Sequence, residues 1–272
     1  MPYSLNNLPN RSQKPRINGI TLVLDKGYSI RQTEDFVDVC SEYVDVVKLG
    51  WGTCYVTPKL EDKLSVYREA GIPVYFGGTL FEAYLLRNQL DAYIKLLNKY
   101  NIECLEVSNG TICISDEKKQ KIITDLSKDY KVFSEVGSKN PNKIIPPYKW
   151  VKVIQKELEA GASKVICEAR ESGIVGVFRP NGEVRSGLIE EITDQIPIEN
   201  LIFEAPKKEQ QVWFIKKYGS NVNLGNIQPE EVISLETLRL GLRSDTLMDF
   251  YSLEENSKLD QIIKENSIST EE

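Results

Sequence analysis

A single (β/α)8 TIM barrel is the fold this sequence predicts, on three observations. Eight short apolar runs recur along the 272 residues, at 20–25, 44–49, 74–79, 104–108, 132–135, 165–170, 201–204 and 222–226. Segments with helical spacing of their apolar residues lie between them. Almost every run closes on charged or polar side chains, and in barrels of this class the C-terminal strand ends carry the chemistry. The length suits one barrel of roughly 250 residues, and a hydrophobic content of 41% supplies one sizeable core.

The elements follow in order. Residues 1–16, with Pro2, Pro9 and Pro15 among polar side chains, read as a flexible N-terminal arm; the barrel spans 17–247, and 248–272 form an acidic C-terminal extension. Run one ends at Asp25-Lys26-Gly27, and Phe36, Val37 and Cys40 give 33–43 a helical stripe. Run two ends with Lys48 and enters Gly50-Trp51-Gly52-Thr53; the helix over 60–70 stops at Gly71, a residue suited to a helix C-terminus. Pro73 introduces run three, which leaves through Gly77-Gly78-Thr79. Thr79 and Glu82 have capping-box spacing, predicting a helix toward Arg87 and a second over 91–100. Run four ends in Ser108-Asn109-Gly110, and Ser115-Asp116-Glu117 opens a helix over 118–128. Run five ends at Glu135, and the connection that follows, 136–147, is long for a βα loop, which suits a functional segment. A helix over 150–160 stops at Gly161. Run six leaves through Glu168-Ala169-Arg170-Glu171, and Pro180-Asn181-Gly182 marks a hairpin-like excursion. Run seven ends at Glu204-Ala205-Pro206 before a helix over 208–218. Run eight holds Asn223, Gly225 and Asn226, followed by a helix over 234–241 and Arg243.

Composition narrows the function. A formal net charge of −6 lacks the basic footprint of a nucleic-acid binder, and no apolar run is long enough to span a membrane. Five cysteines, an odd number without a CxxC pair, read as reduced, packed thiols of a cytoplasmic protein. Histidine is absent. Proton transfer therefore falls to Lys, Asp/Glu, Tyr or Cys, and a metal site has to be oxygen-rich, favouring Mg²⁺ or Mn²⁺ over Zn²⁺. Exposed barrel helices commonly assemble, so a homo-oligomer is expected.

The strand ends concentrate charge. Glu135, Glu168 and Glu204 close runs five to seven, Glu106 lies in run four and Asp25 closes run one. Carboxylates sharing one mouth repel unless something positive lies between them. Mg²⁺ is the simplest such group; pairing with Lys26, Lys48 or Arg170 is the alternative. Lys48 interrupts an apolar run, where a lysine is costly unless paired or used. It fits a Schiff-base lysine, an acid/base, an anion clamp or a core ion pair. Arg170 suits a bidentate grip on a carboxylate. Asn223-Leu224-Gly225-Asn226, Arg243 and the Gly77-Gly78-Thr79 turn are candidate anion sites near the closing strands and a helix start.

Several strings, taken in order, resemble the phosphosulfolactate synthase family. They are Leu24-Asp25-Lys26-Gly27, Val47-Lys48-Leu49-Gly50-Trp51-Gly52-Thr53, Gly77-Gly78-Thr79-Leu80-Phe81-Glu82, Glu135-Val136-Gly137, Glu168-Ala169-Arg170-Glu171-Ser172-Gly173, Phe203-Glu204-Ala205-Pro206, Val222-Asn223-Leu224 and Ser234-Leu235-Glu236-Thr237-Leu238-Arg239. The resemblance covers roughly 18–247. It implies a Mg²⁺-dependent addition of sulfite to phosphoenolpyruvate giving (2R)-phospho-3-sulfolactate, an intermediate toward coenzyme M in methanogens or toward sulfolactate in spore-forming bacilli. It implies Lys139 as the general acid, with Lys48 a further catalytic cation. Glu135, Glu168, Glu204 and Asp25 are the expected metal residues. Lys26, Arg170, Asn223, Gly225, Asn226 and Arg243 are the expected substrate-binding residues. Ser138 stands where the family has a first of two lysines, which removes one positive charge. Two other readings compete: a Schiff-base lyase or aldolase acting on a phosphorylated small acid through Lys48, and a non-catalytic heat-stress-type relative on the same scaffold.

Overall fold

The computed structural model describes residues 5–138 and 145–250. Eight parallel strands form one sheet curled into a barrel. They are β1 (Thr21–Asp25), β2 (Val46–Leu49), β3 (Val74–Phe76), β4 (Cys104–Val107), β5 (Lys131–Val136), β6 (Lys164–Cys167), β7 (Leu201–Glu204) and β8 (Leu224–Ile227). Helices α1 (Ile30–Cys40), α2 (Thr53–Val56), α3 (Leu60–Glu69), α4 (Gly78–Leu86), α5 (Leu90–Lys99), α6 (Asp116–Leu126), α7 (Pro147–Glu159), α8 (Ser186–Thr193), α9 (Lys208–Tyr218) and α10 (Val232–Arg239) fill the connections. The expected single (β/α)8 barrel is the observed one.

Side chains alternate across each strand, so the wall has two faces. One face packs under the helices in a continuous apolar layer that includes Val23, Val47, Leu105, Val165 and Phe203. The other fills the barrel: Ile20, Leu22, Val46, Tyr75, Cys104, Phe133, Ile166 and Ile202 form a separate inner cluster. Two residues further on, the inward positions of five strands are Lys48, Glu106, Glu135, Glu168 and Glu204, all buried. An apolar plug thus carries a charged layer directly above it.

Hydrogen-bonded neighbours run β3-β2-β1-β8-β7-β6-β5-β4. Among the described residues β3 and β4 share no ladder, and side chains cross that seam instead. Tyr75 Oη donates to Glu106 Oε2 at 2.8 Å, and the Gly78 amide donates to Glu106 Oε1 at 2.8 Å.

Local chemistry explains most element ends. Ser29 caps α1 in a full capping box with Gln32, and Ser115 caps α6. The Pro180-Asn181-Gly182 excursion is present, with Phe178 bridging Val184 in antiparallel fashion. The Thr79–Glu82 capping box is not. α4 starts at Gly78 without a side-chain cap, and Glu82 accepts instead from Ser108 Oγ (2.6 Å) and the amides of Thr111 (2.9 Å) and Ile112 (2.8 Å). It pins the β4–α6 loop.

Two boundary expectations are corrected. The second half of the arm is tied to the barrel: buried Arg11 pairs with Glu236 at 2.8 Å, and Arg16 with Asp45 at 3.0 Å. Strand β8 begins at Leu224, so Asn223 lies at its N-terminal end. There its side chain accepts from the Ile20 amide (3.0 Å) and donates to the Leu201 carbonyl (2.8 Å). It fastens the bottom of the barrel, opposite the strand ends that carry the charged layer.

The buried tyrosines give the fold a pH signature. Burial first, then Asp25 at Tyr67 and Glu106 at Tyr75, raises these phenols above the ordinary value; Tyr93 is raised chiefly by burial. The folded chain holds protons that the unfolded chain releases near pH 10. This stability is complete below about pH 10 and is lost as pH rises toward the folded values. In an alkaline titration followed by phenolate absorbance and circular dichroism, part of the 13 tyrosines should ionise only as the helical signal collapses. Ionisation of all of them near pH 10 with the fold intact would contradict the burial.

Candidate active site

Lys48 organises the mouth. Its ammonium lies 3.0 Å from Glu106, 3.3 Å from Glu204 and 3.7 Å from Glu135. Burial alone would lower its proton affinity. Glu106, Glu204 and Glu135 overcome that and hold it well above the ordinary lysine value. Burial pushes the Glu204 carboxyl up, Lys48 pulls it back and Glu135 pushes it up again, leaving it above the ordinary carboxylate value. The second Glu204 oxygen accepts from the amides of Ala169 (2.8 Å) and Arg170 (3.0 Å).

Above this group lies a cavity of about 290 Å³ lined by Leu24, Lys48, Trp51, Gly78, Thr79, Glu106, Thr111, Glu135, Glu168, Arg170, Glu171, Glu204 and Asn226. Carboxylates outnumber cations five to two among these described residues. The backbone around it is strained. Trp51 (φ 55°), Arg170 (φ 57°) and Asn226 (φ 54°) all take left-handed conformations that bulky L-residues adopt at a cost, a feature that concentrates at functional sites. Gly78 is required sterically, because a Cβ there would meet Glu106 Oε1 at 2.3 Å and Ser108 Oγ at 2.4 Å.

Behind the mouth a second buried network steadies β5. Lys119 on α6 donates to the Glu135 carbonyl at 2.6 Å and pairs with Glu157 on α7 at 2.9 Å. Ser134 Oγ donates to the other Glu157 oxygen. Nothing in composition singled out Lys119 or Glu157; their helical spacing looks like that of any amphipathic surface helix.

The structure brings together Lys48, Glu135, Glu168, Glu204, Arg170 and Asn226, and adds Glu106, which had been noted as a strand charge without a role. Inward parity would have found it, since Glu106 is two residues beyond Cys104. The same parity removes Asp25, adjacent to inward Leu24. Asp25 faces the helices, pairing with Lys63 at 2.6 Å, accepting from Tyr67 Oη at 2.8 Å and from the amides of Gly27 and Tyr28. Lys26 is exposed beyond β1 and does not line the cavity. Gly225 sits inside the wall opposite Glu204, where an added Cβ would come 3.1 Å from Ile202. Arg243 follows α10, pairs with Asp245 at 3.7 Å and does not line the cavity. Lys139 lies outside the described residues.

Among the described residues no group of three or more His, Cys, Asp or Glu side chains is arranged to hold a metal ion. Mg²⁺, however, usually takes only one or two protein carboxylates and completes its shell with water and substrate oxygens. Glu135 and Glu168 both line the cavity and would be the oxygen donors for such an ion.

The barrel and its charged rim define a (β/α)8 enzyme built for a small charged substrate. Sequence identifies which. The family described as (2R)-phospho-3-sulfolactate synthase (ComA) matches residues 9–245. The phosphosulfolactate synthase of Methanothermobacter thermautotrophicus is 43% identical, over 88% of this chain and 95% of that one. The phosphosulfolactate synthase of Bacillus subtilis is also 43% identical, over 88% and 96%. The chain belongs to the (2R)-phospho-3-sulfolactate synthase family. The solved 3-hexulose-6-phosphate synthase from Salmonella typhimurium superposes with a TM-score of 0.52 at 11% identity, over 85% of this chain and 94% of that one, a likeness of fold alone. No helix among the described residues is long and apolar enough to cross a membrane.

Removing the Lys48 charge leaves three carboxylates converging without their shared cation. Lys48→Met should cost about 3–5 kcal/mol in denaturant unfolding, and the deficit should shrink as pH falls and the carboxylates protonate. An unchanged unfolding midpoint at neutral pH would show that the pairs carry no stability.

Proposed function

We propose that this chain adds sulfite to phosphoenolpyruvate, with Mg²⁺ bound, and forms (2R)-phospho-3-sulfolactate. Membership of the family carries the reading, and the convergence of Lys48, Glu106, Glu135 and Glu204 supports it. The sulfite lone pair forms the new bond to C3. The C2–C3 π pair moves toward the carboxylate, giving an aci-carboxylate, and C2 then takes a proton. No bond to phosphate breaks.

The residues match these demands. Lys48 stays protonated, so it offers fixed positive charge where negative charge develops on the substrate. Arg170, at the cavity edge, suits a second anionic group. Glu135 and Glu168 would hold Mg²⁺, which when bound supplies further charge stabilisation for the aci-carboxylate. The C2 proton is assigned to Lys139 on the family resemblance.

The competing Schiff-base chemistry needs a neutral lysine amine. Three carboxylates around Lys48 oppose that form. A non-catalytic relative would have no use for a buried charged layer above an apolar plug.

Incubation with phosphoenolpyruvate, sulfite and Mg²⁺ should yield the sulfonated product by mass spectrometry. Chelation should abolish turnover and added Mg²⁺ restore it. Lys139→Ala should slow turnover by about 10²–10⁴-fold. Full turnover in chelator removes the metal from the reaction, and borohydride capture of substrate on Lys48 would replace sulfite addition with Schiff-base chemistry.

A further inference from the structure

Asn226 differs from the other polar residues of the mouth. Thr21 pairs with Leu224 but Val23 pairs with Ile227, so β8 carries one extra residue against β1. This is a β-bulge, a device that re-aims a side chain beside an active site. Asn226 sits in it with φ 54°, and its carbonyl accepts from Gln228 Nε2 at 3.2 Å. Its side chain lines the cavity, is 3% exposed, and its Oδ1 has no hydrogen-bond partner among the described residues. Backbone strain and an unmet hydrogen bond are both unfavourable in the empty protein, and such features persist where a ligand uses them.

Charge indicates the ligand. Glu106, Glu135, Glu168 and Glu204 come from β4 to β7, and Lys48 leans into that arc. The arc from β8 to β1 presents Asn226 and Leu24, with no carboxylate among the described lining residues, whereas the start of α4 beyond β3 already binds Glu106 through the Gly78 amide. A cation gains most on the acidic arc, and an anion is repelled least on the neutral one. A half-turn of the Asn226 amide exchanges its oxygen for two N–H donors. Aspartate has the same shape but would extend the acidic arc around the mouth.

We propose that Asn226 is a specificity-determining residue whose side-chain amide donates to an anionic oxygen of the substrate, holding the small phosphorylated acid on the neutral arc. This rests on the reaction proposed above. The neutral side chain is what admits an anion beside so many carboxylates, and the bulge is what aims it.

Asn226→Gly and Asn226→Asp test this. Glycine takes a positive φ without strain, so ligand-free N226G should melt at or above the wild-type temperature. Calorimetric titration with phosphoenolpyruvate and Mg²⁺ should show binding at least about 10-fold weaker in N226G, the loss of a hydrogen bond to a charged group, and weaker still in N226D. The KM for phosphoenolpyruvate should rise in the same order, with kcat changed far less. A melting temperature lowered in N226G would make Asn226 structural and overturn the proposal. So would wild-type affinity in N226G, or tighter binding in N226D. A wild-type chain that forms no sulfonated product sinks the proposed reaction itself, whereas normal wild-type turnover with an unaffected N226G sinks this assignment alone.

Discussion

The Lys48 ammonium, 3.0 to 3.7 Å from three glutamates, is the constraint around which the mouth is arranged. Four strands, β2, β4, β5 and β7, each direct one charged side chain to the same point. None of these groups is tolerable there by itself, because a lone buried charge is strongly disfavoured. Their mutual neutralisation lets the barrel carry an ionic layer on an apolar plug. Among the described residues that line the cavity, carboxylates exceed cations.

Support for this layer comes from outside the wall. Lys119 holds the Glu135 carbonyl and is itself neutralised by Glu157. Asp25 draws in Lys63 and Tyr67 behind β1. Buried pairs of this kind add little net stability compared with apolar replacements, but they do fix geometry. They sit at strand C-termini, where a small displacement would reach the cavity.

The barrel was legible because its signal is repetitive: eight apolar runs, each followed by helical spacing, leave few other architectures. Glu135, Glu168, Glu204 and Lys48 were legible because each ends a run. Asp25 and Asn223 were misplaced for different reasons. Asp25 also ends a run, but alternation turns it to the helix side, and strand ends show parity only when aligned against the inner plug. Asn223 looked like a strand terminus because Val222 is apolar, whereas pairing starts one residue after Asn223. The bulge that turns Asn226 inward is a register shift between β8 and β1, and one strand read alone cannot display it. Helix α8 was missed because the hairpin excursion before it obscured the usual strand-to-helix spacing.

The seam between β3 and β4 gives Glu106 a double duty. One carboxylate is both the nearest counter-ion of Lys48 and the clasp that receives Tyr75 and the Gly78 amide across the gap. The charge balance of the mouth and the closure of the cylinder thus draw on the same carboxylate.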